Sequence, residues 1–224
     1  MNRIFFITGT DTGAGKTVLT TLLAAFLRRE KIRVAALKPI CSGGRDDARK
    51  IFDALGGALT LDEINPWHFR AAVAPVLAAR REKKSVTLRA VADHVRGGRE
   101  KFEVTVVEGA GGLLSPLGEN FDSRDLILEL NAVPVIVAQN KLGAVNHVRL
   151  TLAALPENFR AKTKVVFMSP EKMDAAGRSN AALLAEFFPA EKIFTLPWLG
   201  ESFSTGKVLE KAAVRRTLRK VLAG

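Results

Sequence analysis

Apolar residues in this chain fall into short continuous runs, separated by stretches with helical periodicity. Residues 4–7 (Ile4, Phe5, Phe6, Ile7) read as a buried strand, and Val18, Leu19, Leu22, Leu23, Phe26 and Leu27 then recur at helical spacing. Further strands are predicted at 32–37, 102–107, 133–138, 164–168 and 193–196. Helices are predicted at 46–55, 74–84, 86–96, 122–130, 146–155, 174–188 and 208–222. Pro39 bars a helix directly after the second strand, and Gly56-Gly57 ends the 46–55 helix, leaving a loop as far as Pro66. Strands alternate with helices, and several strands are apolar throughout. This pattern predicts an α/β fold, a three-layer and mostly parallel sheet with helices on both faces. The chain carries no linker, repeat or low-complexity stretch, so one domain is expected over residues 1–224.

Open parallel sheets bind ligands beyond the carboxyl ends of their strands, and unusual residues recur at that edge here. The first strand runs into Gly9-Thr10-Asp11-Thr12-Gly13-Ala14-Gly15-Lys16-Thr17 and then into a helix, the setting of a phosphate-binding loop of the P-loop NTPase kind. Glycines let backbone approach a ligand closely, and the unpartnered amides and dipole at a helix start attract phosphate oxygens. Lys16 can reach the outer phosphates, and the Thr17 hydroxyl can ligate Mg²⁺. Five residues lie between Gly9 and Gly15, one more than the usual four.

The other strand ends carry Lys38, Glu108 followed by Gly109-Ala110-Gly111-Gly112, Asn140-Lys141-Leu142-Gly143, and Pro197-Trp198. Glu108 suits a metal-coordinating carboxylate, because Mg²⁺ takes few protein ligands and keeps several waters. Asp46 and Asp47 both open a helix, and each fits a metal or a capping role. Lys38 can face a transferring phosphate or an anionic intermediate. Gly143 stands where a guanine-reading motif would carry an aspartate, which argues against GTP; with Ala144 it opens a helix whose amides can bind a carboxylate.

Net charge is +11, in basic clusters on surface helices without interleaved aromatics, so solvated faces and no nucleic-acid partner are expected. Cys41 is the only cysteine, which excludes an internal disulfide and fits a cytoplasmic location. No apolar run reaches membrane-span length, and no membrane partner is expected. His68, His94 and His147 are expected at the surface or the core edge rather than as catalytic bases, with no zinc site.

Taken together, Gly-Thr-Asp-Thr-x-x-Gly-Lys-Thr at 9–17, Lys38-Pro39 with Ser42-Gly43, Asn65-Pro66, Glu108-Gly109-Ala110-Gly111-Gly112 with Pro116-Leu117, Lys141-Leu142-Gly143 with Asn146-His147, and Leu196-Pro197-Trp198-Leu199 resemble the dethiobiotin synthetase family over nearly the whole chain. The resemblance implies an ATP-dependent cyclo-ligase of biotin biosynthesis acting on 7,8-diaminononanoate and CO₂. Carbamation of one amine is followed by attack on the γ-phosphate, giving a carbamic-phosphoric anhydride. The second amine then closes the ureido ring and expels phosphate. By the same resemblance, Lys16, Lys38 and Thr12 act on the transferring phosphate. ATP is held by Gly13 to Val18, Asp47, Glu108 to Gly111, and Pro197, Trp198 and Leu199. Thr17, Asp47 and Glu108 hold Mg²⁺; Asp47 is preferred to Asp46 because the family pattern has Asp followed by Ala, as in Asp47-Ala48. Ser42 meets the carbamate end of the substrate, Gly143 and Ala144 its distant carboxylate, and the family's homodimer is implied. The chain departs from the family at Met168-Ser169-Pro170, where an adenine-reading asparagine is common, and at Val76, where the family has a histidine. A partitioning-type switch ATPase would carry a second lysine early in the loop, where this chain has Thr10, Asp11 and Thr12.

Overall fold

The computed structural model describes residues 3–97 and 100–223. Its centre is the strand β1 (Arg3–Gly9), whose neighbours Phe5 and Phe6 are both fully buried but belong to cores on opposite faces of the sheet. Successive strand side chains point to opposite faces, so an uninterrupted apolar run requires a cover on each.

Helix α1 (Lys16–Arg29) follows the phosphate loop, and β2 (Val34–Leu37) ends just before Lys38. Next come β3 (Ile40–Ser42), α2 (Asp46–Leu55), α3 (Leu61–Ile64), β4 (Trp67–Phe69), α4 (Pro75–Arg81) and α5 (Leu88–Arg96). The chain continues through β5 (Val104–Gly112), the hairpin β6 (Pro116–Gly118) and β7 (Phe121–Asp122), α6 (Ser123–Glu129) and β8 (Val133–Gln139). It closes with α7 (Ala144–Ala153), α8 (Glu157–Lys162), β9 (Lys164–Met168), α9 (Ala175–Ala185), β10 (Ile193–Leu196), α10 (Thr205–Glu210) and α11 (Ala212–Leu222).

Six strands form the main sheet in the order β10-β9-β8-β1-β5-β2, every pair parallel. One face is covered by α1, α2, α10 and α11, through residues such as Leu22, Ile51, Leu209 and Leu218. The other is covered by α4 to α9, through residues such as Ala79, Val91, Ile127, Val148, Phe159 and Leu184. The three-layer parallel architecture expected from the sequence is therefore present.

Several local expectations change. The 57–66 stretch is not a plain loop: it holds α3, started by a capping box in which Thr60 and Glu63 satisfy each other's backbone amides, and β4 follows it to pair with β3. The 208–222 helix is two helices, broken at Lys211, whose ψ of 111° is extended. Strand β5 does not stop at Val107. It continues to Gly112, held by β1 across a register shift between Ile7 and Gly9, so Glu108 lies inside a strand.

Because Phe5 and Phe6 are each fully buried on opposite faces of one strand, Phe5→Ala and Phe6→Ala should each cost about 3–5 kcal/mol. Urea unfolding measures this, and a small loss at either site would mean that one face of the sheet is poorly packed.

Candidate active site

The register of three adjacent strands builds the site. Leu37 of β2 is level with Val107 of β5, so Lys38 and Glu108 follow side by side. On the other flank Ile7 of β1 is level with Glu108, and the loop after β1 returns Thr17 in the first turn of α1. Helix α2, which packs on α1, contributes Asp47 from its first turn.

These side chains meet. The Lys38 Nζ donates to Glu108 Oε1 at 2.6 Å and lies 3.1 Å from Asp47 Oδ2. The Thr17 hydroxyl donates to the same Glu108 oxygen at 2.7 Å. The side chain of Lys38 is 5% exposed and that of Glu108 is fully buried. Burial opposes charge on Lys38, but Glu108 and Asp47 outweigh it and raise the ammonium above its ordinary 10.5. Burial likewise opposes charge on Asp47, but the Lys38 ammonium beside it holds the carboxyl below its ordinary 3.8. Asp46 instead pairs with Arg49 at 2.8 Å on the exposed side of α2, so of the two aspartates it is Asp47 that meets Lys38.

The phosphate loop lies across this cluster. Gly15, at φ 100°, caps α1 from the left-handed region, and a Cβ there would lie 2.8 Å from Met168 Cγ, so the position requires glycine twice over. Lys16 is buried and its Nζ donates to the Asp11 carbonyl at 3.0 Å. Its own burial, and Lys38 nearby, lower its ammonium from 10.5. A buried cation held by one carbonyl suits an incoming anion. Gln139, at the end of β8, donates from Nε2 to the Gly13 carbonyl at 2.9 Å and steadies the loop. Sequence reasoning passed over Gln139, although a polar residue closing an apolar strand was the available signal.

Two cavities adjoin the loop and share Gly13, Gly15 and Val18. The larger, about 830 Å³, is lined by Thr12, Lys16, Thr17, Lys38, Ser42 and Asp47, with Ala110 and Gly111 on its far wall. The smaller, about 340 Å³, is mostly apolar and lined by Ala14, Met168, Pro197, Trp198 and Leu199 among others. A groove with a charged compartment on one side of a phosphate loop and an apolar one on the other fits a nucleotide tail and its base. Asn140 makes no use of its amide there: it donates to the Gly177 carbonyl and accepts from Asn180, tying β8 to α9.

Not every expected residue joins the site. Gly109 lines neither of these two cavities, and its α-carbon faces Ser123. Gly143 and Ala144, at the start of α7, line neither of these two cavities, whereas Ser42 lines the larger. The Ser42 hydroxyl donates to the Val73 carbonyl at 2.6 Å on the cavity wall.

The donor set fits Mg²⁺. Thr17, Asp47 and Glu108 offer hard oxygens, and Glu108 Oε2 is buried without a hydrogen-bond partner. Among the described residues no group of three or more His, Cys, Asp or Glu is placed to hold a metal ion. No helix among the described residues is long and apolar enough to cross a membrane.

A family model described as an AAA domain matches residues 3–203. The ATP-dependent dethiobiotin synthetase of Akkermansia muciniphila is 36% identical over 89% of this chain and 91% of its own. That of Anaeromyxobacter sp. strain Fw109-5 is 36% identical over 99% and 98%, and that of Bacillus subtilis strain 168 is 40% identical over 67% of each chain. The solved structure of pNOB8 ParA bound to nonspecific DNA superposes with a TM-score of 0.61, covering 99% of this chain and 98% of that one at 12% identity, a likeness of fold alone.

The Asp47 carboxyl titrates below its ordinary 3.8 in the folded chain. Its contribution to stability is therefore complete above that value and is lost as pH falls through the folded one. Urea midpoints measured from about pH 6 down to about pH 3 should fall more steeply for the native protein than for Asp47→Asn. Parallel curves would show that Asp47 is not held by Lys38.

Proposed function

The chain belongs to the ATP-dependent dethiobiotin synthetase family, and from that premise we propose that it closes the ureido ring of dethiobiotin on 7,8-diaminononanoate with CO₂ and ATP, as one cytoplasmic ligase domain over residues 1–224. The observation that carries the reading is the buried Lys38 held between Glu108 and Asp47, with Thr17 on the same carboxylate, directly under the phosphate loop.

Phosphoryl transfer asks a protein for position and charge stabilisation rather than a covalent nucleophile. The loop amides from Gly13 to Val18, with Thr12 beside them, cradle the triphosphate, and Lys16 leaves the Asp11 carbonyl for the outer phosphate. Lys38 stays protonated across the working pH range and faces the oxygens on which negative charge builds as the carbamate attacks. Thr17, Asp47 and Glu108 hold Mg²⁺, which supplies further neutralisation of phosphate charge. Ser42, on the wall of the larger cavity, meets the carbamate end. Ala110 and Gly111, on the wall of the larger cavity, back the nucleotide, and Pro197, Trp198 and Leu199 enclose adenine and ribose in the apolar cavity.

The substrate's carboxylate end is assigned to Gly143 and Ala144 of a second copy of the chain, a reading supported by their absence from the lining of the cavity that holds Ser42. Exposed apolar side chains support this homodimer: Leu142 (80% exposed) and Leu150 (62%) on and beside α7, and Leu183 and Phe187 on and beside α9. Sedimentation should give a particle of twice the chain mass, with Leu142→Asp shifting it to a monomer that loses diamine-dependent turnover. A native protein that is monomeric and fully active excludes the arrangement.

Phosphate release from ATP, Mg²⁺ and bicarbonate should depend on added diaminononanoate, and Lys16→Gln should lower it by a factor on the order of 100 or more. Release that ignores the diamine would point to a switch ATPase instead.

A further inference from the structure

Behind Lys38 the backbone is held by a buried side chain that lines neither cavity of the site. Asn65, fully buried between α3 and β4, donates from Nδ2 to the Lys38 carbonyl at 2.7 Å and to the Pro39 carbonyl at 3.4 Å. Its Oδ1 accepts from Arg45 Nε at 3.2 Å and from the Cys41 thiol at 3.1 Å. Arg45 returns to the same corner, its guanidinium donating to the carbonyls of Asn65 at 2.9 Å and Leu61 at 2.8 Å and to the Asp62 carboxylate at 2.8 Å. The Lys38 amide is tied to the Ile64 carbonyl at 3.0 Å.

The two ends of this network are the two halves of the ion pair in the cavity. Asn65 fixes the backbone of Lys38. Arg45 is the residue immediately before α2, whose second residue is Asp47. A lysine side chain is long and flexible, so its ammonium is placed only if its backbone and its carboxylate partners are both held. Asn65 and Arg45 hold both, and neither lines the cavity. We infer that Asn65 and Arg45 are positioning residues for phosphoryl transfer, setting where the Lys38 ammonium and the Asp47 carboxylate meet. The inference rests on the role proposed above for Lys38.

The test is a double-mutant cycle on the full chain, read by diamine-dependent phosphate release. Arg45→Met keeps the aliphatic stem and removes every bond of the guanidinium. It should lower kcat roughly 10- to 100-fold while KM for ATP stays within about twofold, the pattern of lost transition-state positioning. In a Lys38→Gln background, measured in single turnovers with excess enzyme, the same change should cost less than about threefold, because its effect passes through the missing lysine. Asn65→Ala should behave alike; if it fails to fold, Arg45→Met carries the test alone. Equal losses in both backgrounds, or a lowered melting temperature with kcat unchanged, would reduce the network to ordinary structure and overturn the inference while leaving Lys38's role intact. A Lys38→Gln protein with native kcat would remove that role, and the inference with it.

Discussion

One nearly buried ammonium group organises the business end of this molecule. Lys38 sits almost wholly buried between two carboxylates, one of them fully buried. Taking such a charge out of water costs several kcal/mol per ion, and the arrangement survives only because the geometry is tight. Removing one partner of a buried pair costs about 3–5 kcal/mol, since the other charge is then stranded. The sheet must therefore keep β1, β5 and β2 in one register, because a slip of one residue turns every side chain to the other face. The glycine run after Glu108 serves the same end: it lets β5 continue beside β1 past the shift in register, so the acid is buried rather than frayed at a strand end.

The two lysines of the site are held in opposite ways. Lys38 has two acidic partners and is raised; Lys16 has a carbonyl and is lowered. A polyphosphate entering the loop changes little for the first and relieves the second, since an anion beside a desolvated cation favours its charged form. Lys16 thus reads as the group that gains most from ligand binding. Lys38 reads as a fixed charge whose position is prepaid by folding, the preorganised kind of electrostatic stabilisation.

Much of the architecture was legible because its signal is local. Continuous apolar runs at 4–7, 133–138 and 165–168 require a sheet covered on both faces, and the structure has one. Helix α2 matched its predicted bounds of 46–55, since Asp46 and Asp47 start it and Gly56, at φ 58°, stops it. The misses were elements too short to have a period. The four residues of α3 are set by one capping box, and β3 and β4 are three residues each and exist through pairing with each other. The break at Lys211 lies within an unbroken helical pattern and becomes visible only where α10 and α11 pack separately on the core.

The chain's own residues determined the phosphate loop, the glycines it needs, the layered α/β order and the family, because each is written in adjacent positions whose spacing alone restricts the backbone. Which aspartate meets Lys38, that Glu108 is buried inside a strand, that Asn65 and Arg45 stand behind the site, and that Gly143 does not line the cavity that Ser42 lines were decided by the tertiary structure. These are facts of side-chain distance between segments tens of residues apart, and such distances exist only after strand register and helix packing have been chosen.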